Sequence, residues 1–503
     1  LHCFIHLVSK KMRLPSHGHT KGRPPQGRAF FGACSRRGGG SARRPPLPRP
    51  GGGRGAPPVP TPTPAASATG SPPGAAPAGD APEAEASSLN WLPYAPSEFA
   101  AVAGAEGLGD AAAFAPAGDI CPLPDQAGVE GQANGEGFYR FIAREDGAAN
   151  LCYLDFSSAQ EVMLCSQPNC AHADESCPAW FPSLVGVNQA FPVGDALIIL
   201  HGGNPSYASS LGEEALARIE VANLDGSGRR QVFRFPANVQ VTTLPRGGYA
   251  QDGENLYFVA TTTTAASTTR TLCALHAPSG TLYALYDLPE AEEKILGGVG
   301  TKLVLSYSPG AYDMSHSAAD LQTVVACLDL SNHTLAALFS YPYVSIGGIA
   351  GEDFVVLTSE GTLCRYSLVT GKLTGEMPVA LPAGFDPQNM HGNGLFDGKL
   401  LAHSFAVSSD GPSALHYCAV DLQTGAAQEL DATYEGVWGG GRQPATIAAE
   451  TADALLIACG QRAVESTLPS GERIGYYPFQ YALVPKTDFW QNRAALTPIE
   501  WPN

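Results

Sequence analysis

Four residues with metal-binding side chains crowd into one short stretch of the chain, Leu164–Trp180. They are Cys165, Cys170, His172 and Cys177, and their spacing is C-x4-C-x-H-x4-C. Three thiolates and one imidazole make the Cys3His set of a closed tetrahedral zinc site, which is structural rather than catalytic. The sequence therefore predicts a structural zinc ion, bound by these four side chains, as the one cofactor of the chain.

Two other interpretations of the same stretch remain open. The spacing departs from the usual C-x2–4-C and H-x3–5-H zinc patterns, and a disulfide bond from Cys177 to Cys170 or to Cys165 would also close a short loop. With neither metal nor disulfide, the stretch would be an ordered loop with free thiols. A redox-active thiol pair is disfavoured, because the chain contains no C-x-x-C motif.

The register of the preceding hairpin offers a partner for a third sulfur. If Phe156 pairs with Glu161 across the turn between them, Cys152 stands opposite Cys165. A cross-strand disulfide is then geometrically possible. Cys121, in the segment before the first predicted strand, is a second candidate partner.

The elements that must position this stretch are β-hairpins that recur along the chain. From residue 136 onward, six segments share one layout of apolar strand, polar turn and apolar strand: Leu151–Leu164, Ile219–Phe233, Thr271–Leu288, Val325–Phe339, Thr362–Met377 and His416–Leu430. A weaker seventh copy lies at Tyr476–Leu496, and several copies follow another strand. Four strands per unit over seven units gives about 53 residues each, close to a propeller blade.

The fold prediction is therefore an all-β protein with a β-propeller, of seven blades in preference to six or eight. Residues 1–89 are dominated by Pro, Gly, Ala, Ser and Arg, a composition that predicts a disordered N-terminal tail. Residues 90–135 form a lead-in segment, and residues 136–503 form the propeller. A pair of β-sandwiches would not explain why one hairpin layout recurs throughout.

Charge is distributed unevenly between the tail and the rest of the chain. Residues 1–79 hold 12 Lys and Arg and no Asp or Glu, whereas the remaining 18 basic residues face 47 acidic residues from Asp80 onward, a formal charge of −29. This negative charge from Asp80 onward argues against nucleic acid as a partner. No stretch approaches the 18 apolar residues of a transmembrane helix, so none is predicted.

The tail contains an atypical export signal. Arg28–Cys34 ends in the small-small-Cys pattern of a lipoprotein cleavage site, although the apolar run before Cys34 is shorter than signal peptides require. We read it as a truncated or mis-assigned signal. It predicts a lipid anchor and an extracellular or cell-envelope location.

Several short segments resemble a known class of propellers. Asn223–Gly228 resembles the repeats of TolB-type and WD40-like propellers. Residues 136–503 also resemble uncharacterised secreted or lipoprotein propellers of gut Firmicutes, in which a first hairpin runs into a Cys-x-x-Pro-x-Cys-x-His segment like Cys165–His172 and which end in a segment like Tyr481–Trp490. The resemblance implies a propeller at the cell envelope, and it implies no activity.

The other cysteines are predicted to be packing residues. Four of them occupy the same position in four hairpins and a fifth is one residue out of phase, which is typical of a small buried filler between blades: Cys152, Cys273, Cys364, Cys418 and Cys327. Cys459, in an apolar run, is also expected in the core, while Cys3 and Cys34 belong to the tail. This many free thiols suits a reducing or anaerobic setting.

Catalytic motifs are absent from the sequence. It contains no H-E-x-x-H, no G-x-S-x-G and no phosphate-binding loop, since Gly297–Lys302 has the wrong spacing for one. His201, His391 and Trp438 lie beside glycines, where they could line a central channel. The predicted function is a non-enzymatic binding propeller whose partner is an unknown ligand or envelope protein. The alternative is a propeller hydrolase or lyase acting on glycans or peptides.

Overall fold

The computed structural model describes residues 89–103, 106–123, 130–183, 188–205, 208–241, 248–289, 293–311, 317–406, 414–437, 441–467, 471 and 473–502. The predicted tail at residues 1–89, apart from Leu89, lies outside these residues, as do the predicted lipid-anchor residue Cys34 and the channel candidate Trp438. No helix among the described residues is long and apolar enough to span a membrane.

The lead-in and the first three blades hold strands β1 to β16. The lead-in comprises β1 (Leu92–Pro93), helix α1 (Phe99–Ala103), a 3-10 turn (Ala111–Ala113) and β2 (Cys121–Leu123). Blade 1 comprises β3 (Gly131–Ala133), β4 (Gly137–Ala143), β5 (Ala149–Asp155), β6 (Gln160–Met163) and β7 (Trp180–Phe181). Blade 2 comprises β8 (Asn188–Val193), β9 (Ala196–His201), α2 (Ala208–Leu211), a 3-10 turn (Gly212–Ala215), β10 (Arg218–Asn223) and β11 (Arg230–Arg234). Blade 3 comprises β12 (Val239–Val241), β13 (Tyr249–Gln251), β14 (Asn255–Thr263), β15 (Thr268–His276) and β16 (Thr281–Leu288).

The last four blades hold strands β17 to β35. Blade 4 comprises β17 (Lys294–Val299), β18 (Lys302–Tyr307), a 3-10 turn (Ala318–Asp320), β19 (Gln322–Asp329) and β20 (Thr334–Pro342). Blade 5 comprises β21 (Ile346–Ala350), β22 (Asp353–Leu357), β23 (Thr362–Ser367) and β24 (Leu373–Pro378). Blade 6 comprises a 3-10 turn (Pro387–Asn389), β25 (Met390–Phe396), β26 (Lys399–Ala406), β27 (Ala414–Asp421) and β28 (Ala427–Glu429). A hairpin of β29 (Thr433–Glu435) and β30 (Arg442–Pro444) leads to blade 7, with β31 (Thr446–Glu450), β32 (Ala454–Gln461), β33 (Val464–Thr467), β34 (Arg473–Tyr476), β35 (Phe479–Pro485) and α3 (Lys486–Trp490).

The structure confirms a seven-bladed β-propeller. Each blade is built on an antiparallel sheet, and in blades 1 to 6 the four strands from the innermost to the outermost are consecutive in the chain. The six predicted hairpins are the third and outer strands of blades 1 to 6. The seventh predicted hairpin is wrong. In blade 7 the third strand, β35, is followed by helix α3 instead of an outer strand, and the hairpin β33–β34 is inserted before it.

Seven apolar clusters hold the ring together, one between each pair of successive blades. Successive side chains of a strand point to opposite faces, so one strand serves two clusters. In β14, Leu256 and Phe258 pack towards blade 2, while Tyr257 and Val259 pack towards blade 4. The cluster between blades 7 and 1 closes the ring, and among the described residues no strand is shared across that seam.

A buried charge cluster reinforces the seam between blades 7 and 1. Arg140, on β4, is 1% exposed and donates two hydrogen bonds to the carboxylate of Glu161 and one to the Phe479 carbonyl oxygen in blade 7. Its guanidinium also lies 4.8 Å from the ring centroid of Tyr481. Glu130 accepts a hydrogen bond of 3.1 Å from the Phe479 amide. The seam thus joins the two blades through side chains of opposite charge and aromatic rings.

The lead-in segment packs onto the propeller and enters its centre. Strand β1 extends blade 4 by pairing with β20, and β2 pairs with the innermost strand β13 of blade 3. Gly297 and Gly298 make room for β2, because a Cβ at Gly297 would lie 2.7 Å from Pro122 Cβ and one at Gly298 would overlap Ile120. The innermost strand of blade 1, β3, lies inside the 90–135 segment that the sequence assigned to the lead-in.

Replacing Gly298 by Ala tests this role of the glycines. The added methyl group would collide with Ile120, so we expect a loss of roughly 1–3 kcal/mol in unfolding free energy and faster amide exchange in residues 117–123. The control is Gly375→Ala, where a Cβ meets nothing within 4 Å. Equal stability of the two variants would contradict a close approach of Ile120, directly before β2, to blade 4.

Replacing Glu130 by Gln tests the electrostatics of the seam. Burial raises the pKa of Glu130 to about 7. Because the folded state then holds this proton more tightly than the unfolded state, wild-type stability falls as pH rises from about 4.5 to 7. The neutral variant should therefore gain on the order of 1–3 kcal/mol relative to wild type between pH 5 and pH 8. Urea unfolding across that range measures the difference, and the exposed Glu136→Gln serves as control. A pH-independent difference would contradict the raised pKa of Glu130.

Candidate metal centre

The Cys/His stretch is an insertion within the outer strand of blade 1. Strand β6 pairs with one half of β5 and β7 pairs with the other half, both antiparallel. In the register of β6, Asn150 would face Cys165, but it faces Trp180 instead, so residues 165–179 are inserted into an otherwise continuous strand position. The loop leaves the sheet at Cys165 and returns to it just after Cys177.

The predicted register of the first hairpin is wrong by two residues. Leu154, not Phe156, pairs with Glu161, and Cys152 faces Met163 instead of Cys165. The turn has four residues, as predicted, but it comprises residues 156–159 instead of 157–160, with Ala159 at a φ of 54° and the Asp155 carboxylate accepting hydrogen bonds from the turn. Cys152 is therefore not a cross-strand partner of Cys165.

The four predicted ligands come together at the base of this insertion. One donor atom from each of Cys165, Cys170, His172 and Cys177 lies within 4.8 Å of all the others. The Nδ1 atom of His172 lies 3.3 Å from Cys177 Sγ, and the His172 amide donates to Cys170 Sγ at 3.4 Å. Zn–S bonds of about 2.3 Å and Zn–N bonds of about 2.0–2.1 Å place tetrahedral ligand atoms about 3.5–3.8 Å apart, so the cluster is of the right size for zinc.

Local backbone geometry brings the C-x-H element into one turn. Asn169 and His172 have φ values of 57° and 51°, in a left-handed region that is uncommon for residues other than glycine. Two such residues bend the chain around Cys170, so the thiol and the imidazole face the same point. Gln167 donates to the Ser176 carbonyl oxygen at 2.9 Å and ties the two ends of the loop together.

The ligands differ in exposure and in proton affinity. Cys177 is 1% exposed, and burial raises the pKa of its thiol to about 12. The hydrogen bond from the His172 amide lowers the pKa of the Cys170 thiol. Cys165 and His172 also line a cavity of about 800 Å³ between β6 and residues 497–502. A divalent cation would deprotonate a bound thiol whatever its pKa in the free site.

The cysteines that the sequence assigned to packing lie in the core, as predicted. The five cysteines at or near the repeat position are all buried, on the third strands of five blades, and Cys459 is half-buried against the core. All ten cysteines of the described residues are free thiols, and Cys121 is exposed. Neither Cys121 nor Cys152 forms a disulfide with the cluster.

The two histidines singled out as channel candidates have different settings. His201 is buried at the end of β9, with Nε2 3.1 Å from Glu220 Oε1, and so does not line an open channel. His391 is exposed on the innermost strand of blade 6, and its ring lies 5.1 Å from that of His403. Burial lowers the pKa of His403 to about 4. His403 was missed in the sequence, because only its in-register pairing with His391 distinguishes it.

Sequence reasoning also missed the charge cluster beside the insertion. Glu220 lies within 3.1–3.4 Å of His201, Arg218 and Arg229. Burial alone would raise the pKa of Glu220, but the hydrogen bond to His201 and the charges of His201, Arg229 and Arg218 lower it to about 2. The available signal was a charged residue, Glu220, within the apolar run of a strand.

Comparison with known proteins adds little to the strand topology. No protein-family model and no curated protein match the chain. Similar solved structures include the β-propeller domain of the Trilobed protease from Pyrococcus furiosus, described as having an open velcro topology (TM-score 0.36, 10% identity, covering 74% of this chain and 99% of that one). The acylaminoacyl peptidase of Pyrococcus horikoshii has a TM-score of 0.37 and 10% identity, covering 75% of this chain and 52% of that one. BamB from Moraxella catarrhalis has a TM-score of 0.29 and 10% identity, covering 70% of this chain and 84% of that one. Because these TM-scores are low, the propeller assignment rests on the strand pairing and the seven inter-blade clusters.

Proposed function

We propose that the chain is a non-enzymatic binding propeller in which a structural zinc ion fixes the insertion of blade 1. The observation that carries the metal part is the convergence of four donor atoms within 4.8 Å at the base of that insertion. Four protein ligands fill a tetrahedral zinc ion. Such an ion has no free position for water or substrate, so its role is to hold the fold.

The place of the cluster explains why a cross-link is useful there. An insertion of residues 165–179 interrupts the hydrogen-bonded edge of blade 1, and closing such a loop costs conformational entropy. A metal bound at both ends of the loop offsets that cost, since its binding free energy adds to the stability of the folded state. The ion would thus keep β6 and β7 in register with the two halves of β5.

Metal analysis of the purified chain tests the zinc proposal. Protein purified under reducing conditions should carry about one zinc per chain. Cys170→Ala and His172→Ala each remove a ligand and should leave less than about 0.2 zinc per chain. The matched control is Cys121→Ala, which removes a thiol outside the cluster and should keep the metal.

Two results would contradict the zinc proposal. Wild-type protein without metal that loses two thiols on exposure to air would indicate a disulfide at Cys177 instead. Zinc that persists in both ligand variants would place the ion elsewhere on the chain.

We further propose that the chain acts at the bacterial cell envelope, where it binds a ligand or an envelope protein. The resemblance of residues 136–503 to TolB-type, secreted or lipoprotein propellers supports this location, as does the Pro-rich composition of residues 1–89 as a tether. The atypical signal ending at Cys34 supports a lipid anchor. The hydrolase or lyase alternative stays a prediction from the sequence.

Cell fractionation tests the location. We expect an antibody against the propeller to detect the chain in the membrane or wall fraction, and external protease to cleave it on intact cells. Partners that co-purify from that fraction would then identify the binding activity. A chain found wholly with a cytosolic marker enzyme, and protected from protease, would contradict the proposal.

A further inference from the structure

Arg229, in the turn before β11 of blade 2, clamps the returning end of the insertion. Its Nη1 donates hydrogen bonds of 3.0 Å to the carbonyl oxygens of Pro178 and Trp180, on either side of the point where the loop rejoins blade 1. Its guanidinium lies over the ring of Phe181, with 4.2 Å between Cζ and the ring centroid. Cys177, the most buried ligand, directly precedes this clamped segment.

Arg229 is itself fixed from the other side. Its Nε lies 3.4 Å from Oε2 of Glu220, whose other oxygen lies near His201 and Arg218. The Arg229 side chain is 22% exposed, so it is held mainly by protein contacts. The guanidinium therefore has one defined position between blade 2 and the insertion.

A nearby positive group would stabilise the negative charge of the metal-bound cluster. A divalent ion bound by three thiolates and one neutral imidazole carries a net charge of −1. Partial burial of that charge is unfavourable unless a positive group compensates it. Two guanidinium groups reach the loop, since Arg144 donates to the His172 carbonyl oxygen at 3.1 Å while Arg229 holds residues 178–180.

We propose that Arg229 is a positioning residue of the metal centre, which raises its metal affinity and links blade 2 to the ion bound in blade 1. This inference rests on the proposed zinc site. The planar guanidinium fixes the backbone that follows Cys177 and thereby the position of that thiol. Its positive charge offsets the net negative charge of the metal complex. Groups in this outer position typically contribute 10- to 100-fold to metal affinity.

Cobalt titration tests the proposal. Co²⁺ replaces Zn²⁺ in tetrahedral sites, and its thiolate charge-transfer and d–d absorption bands report ligand set and geometry. We expect Arg229→Gln to bind Co²⁺ about 10- to 100-fold more weakly than wild type, with weaker d–d bands. The matched control, Arg234→Gln, removes an arginine of the same blade whose side-chain partners among the described residues, Glu213 and Gln231, lie outside the insertion. It should bind Co²⁺ like wild type.

Arg229→Lys separates charge from geometry. Lysine keeps the charge, but its compact ammonium lacks the planar fork, so we expect only partial recovery of affinity. Full recovery would overturn the positioning role. Affinity of Arg229→Gln within about twofold of wild type, or an equal loss in Arg234→Gln, would overturn the proposal as a whole.

Circular dichroism of the metal-free variants controls for folding. If Arg229→Gln does not fold, Glu220→Gln takes its place, since it frees the guanidinium from its carboxylate. It should weaken Co²⁺ binding by about 3- to 10-fold, and unchanged affinity would contradict the inference. A wild-type chain that binds neither Zn²⁺ nor Co²⁺ would instead refute the zinc site itself.

Discussion

Every blade of this propeller must bury both faces of its sheet, and that constraint governs the rest of the structure. The seven apolar clusters meet it at seven interfaces, and in the described part of the chain the last interface joins blade 7 to blade 1 without a shared strand. Side chains must therefore close the ring. Arg140 does this from a fully buried position, where Glu161 satisfies its charge and blade 7 supplies a carbonyl oxygen and an aromatic face. An unpaired buried charge would cost several kcal/mol, so the parts of the seam depend on one another.

Blade 1 has two structural roles, because it forms the seam with blade 7 and also contains the insertion. Its outer strand is split between β6 and β7, and the Cys/His cluster lies where the two halves separate. Glu161, which neutralises Arg140, is on β6, only four residues before Cys165. The proposed ion would thus stabilise the same strand that satisfies the seam. Arg229 extends this connection to blade 2 through the carbonyl oxygens of Pro178 and Trp180.

The repeated features of the fold could be predicted from the sequence, whereas the features that depend on a single turn or a single contact could not. Alternating apolar residues revealed six hairpins and the buried cysteines, since a strand that faces two neighbours carries the same signal in every blade. The register around Cys152 was wrong because the four-residue turn comprises residues 156–159, with a positive φ at Ala159, instead of residues 157–160, and residue type did not indicate this shift. Strand β2 was missed because three residues with a central proline show no periodicity. The four ligands were found from residue type and spacing, but their place inside a strand follows only from the pairing of β5 with β7.

X-ray absorption at the zinc K-edge of protein purified under reducing conditions identifies the ligands of the proposed ion directly. We expect four ligands, three sulfur atoms at about 2.3 Å and one nitrogen at about 2.0–2.1 Å. The sulfur count should fall by one in Cys170→Ala protein reconstituted with zinc. A shell of oxygen and nitrogen atoms alone, or a chain that retains no zinc, would contradict the assignment of Cys165, Cys170, His172 and Cys177 as a metal centre.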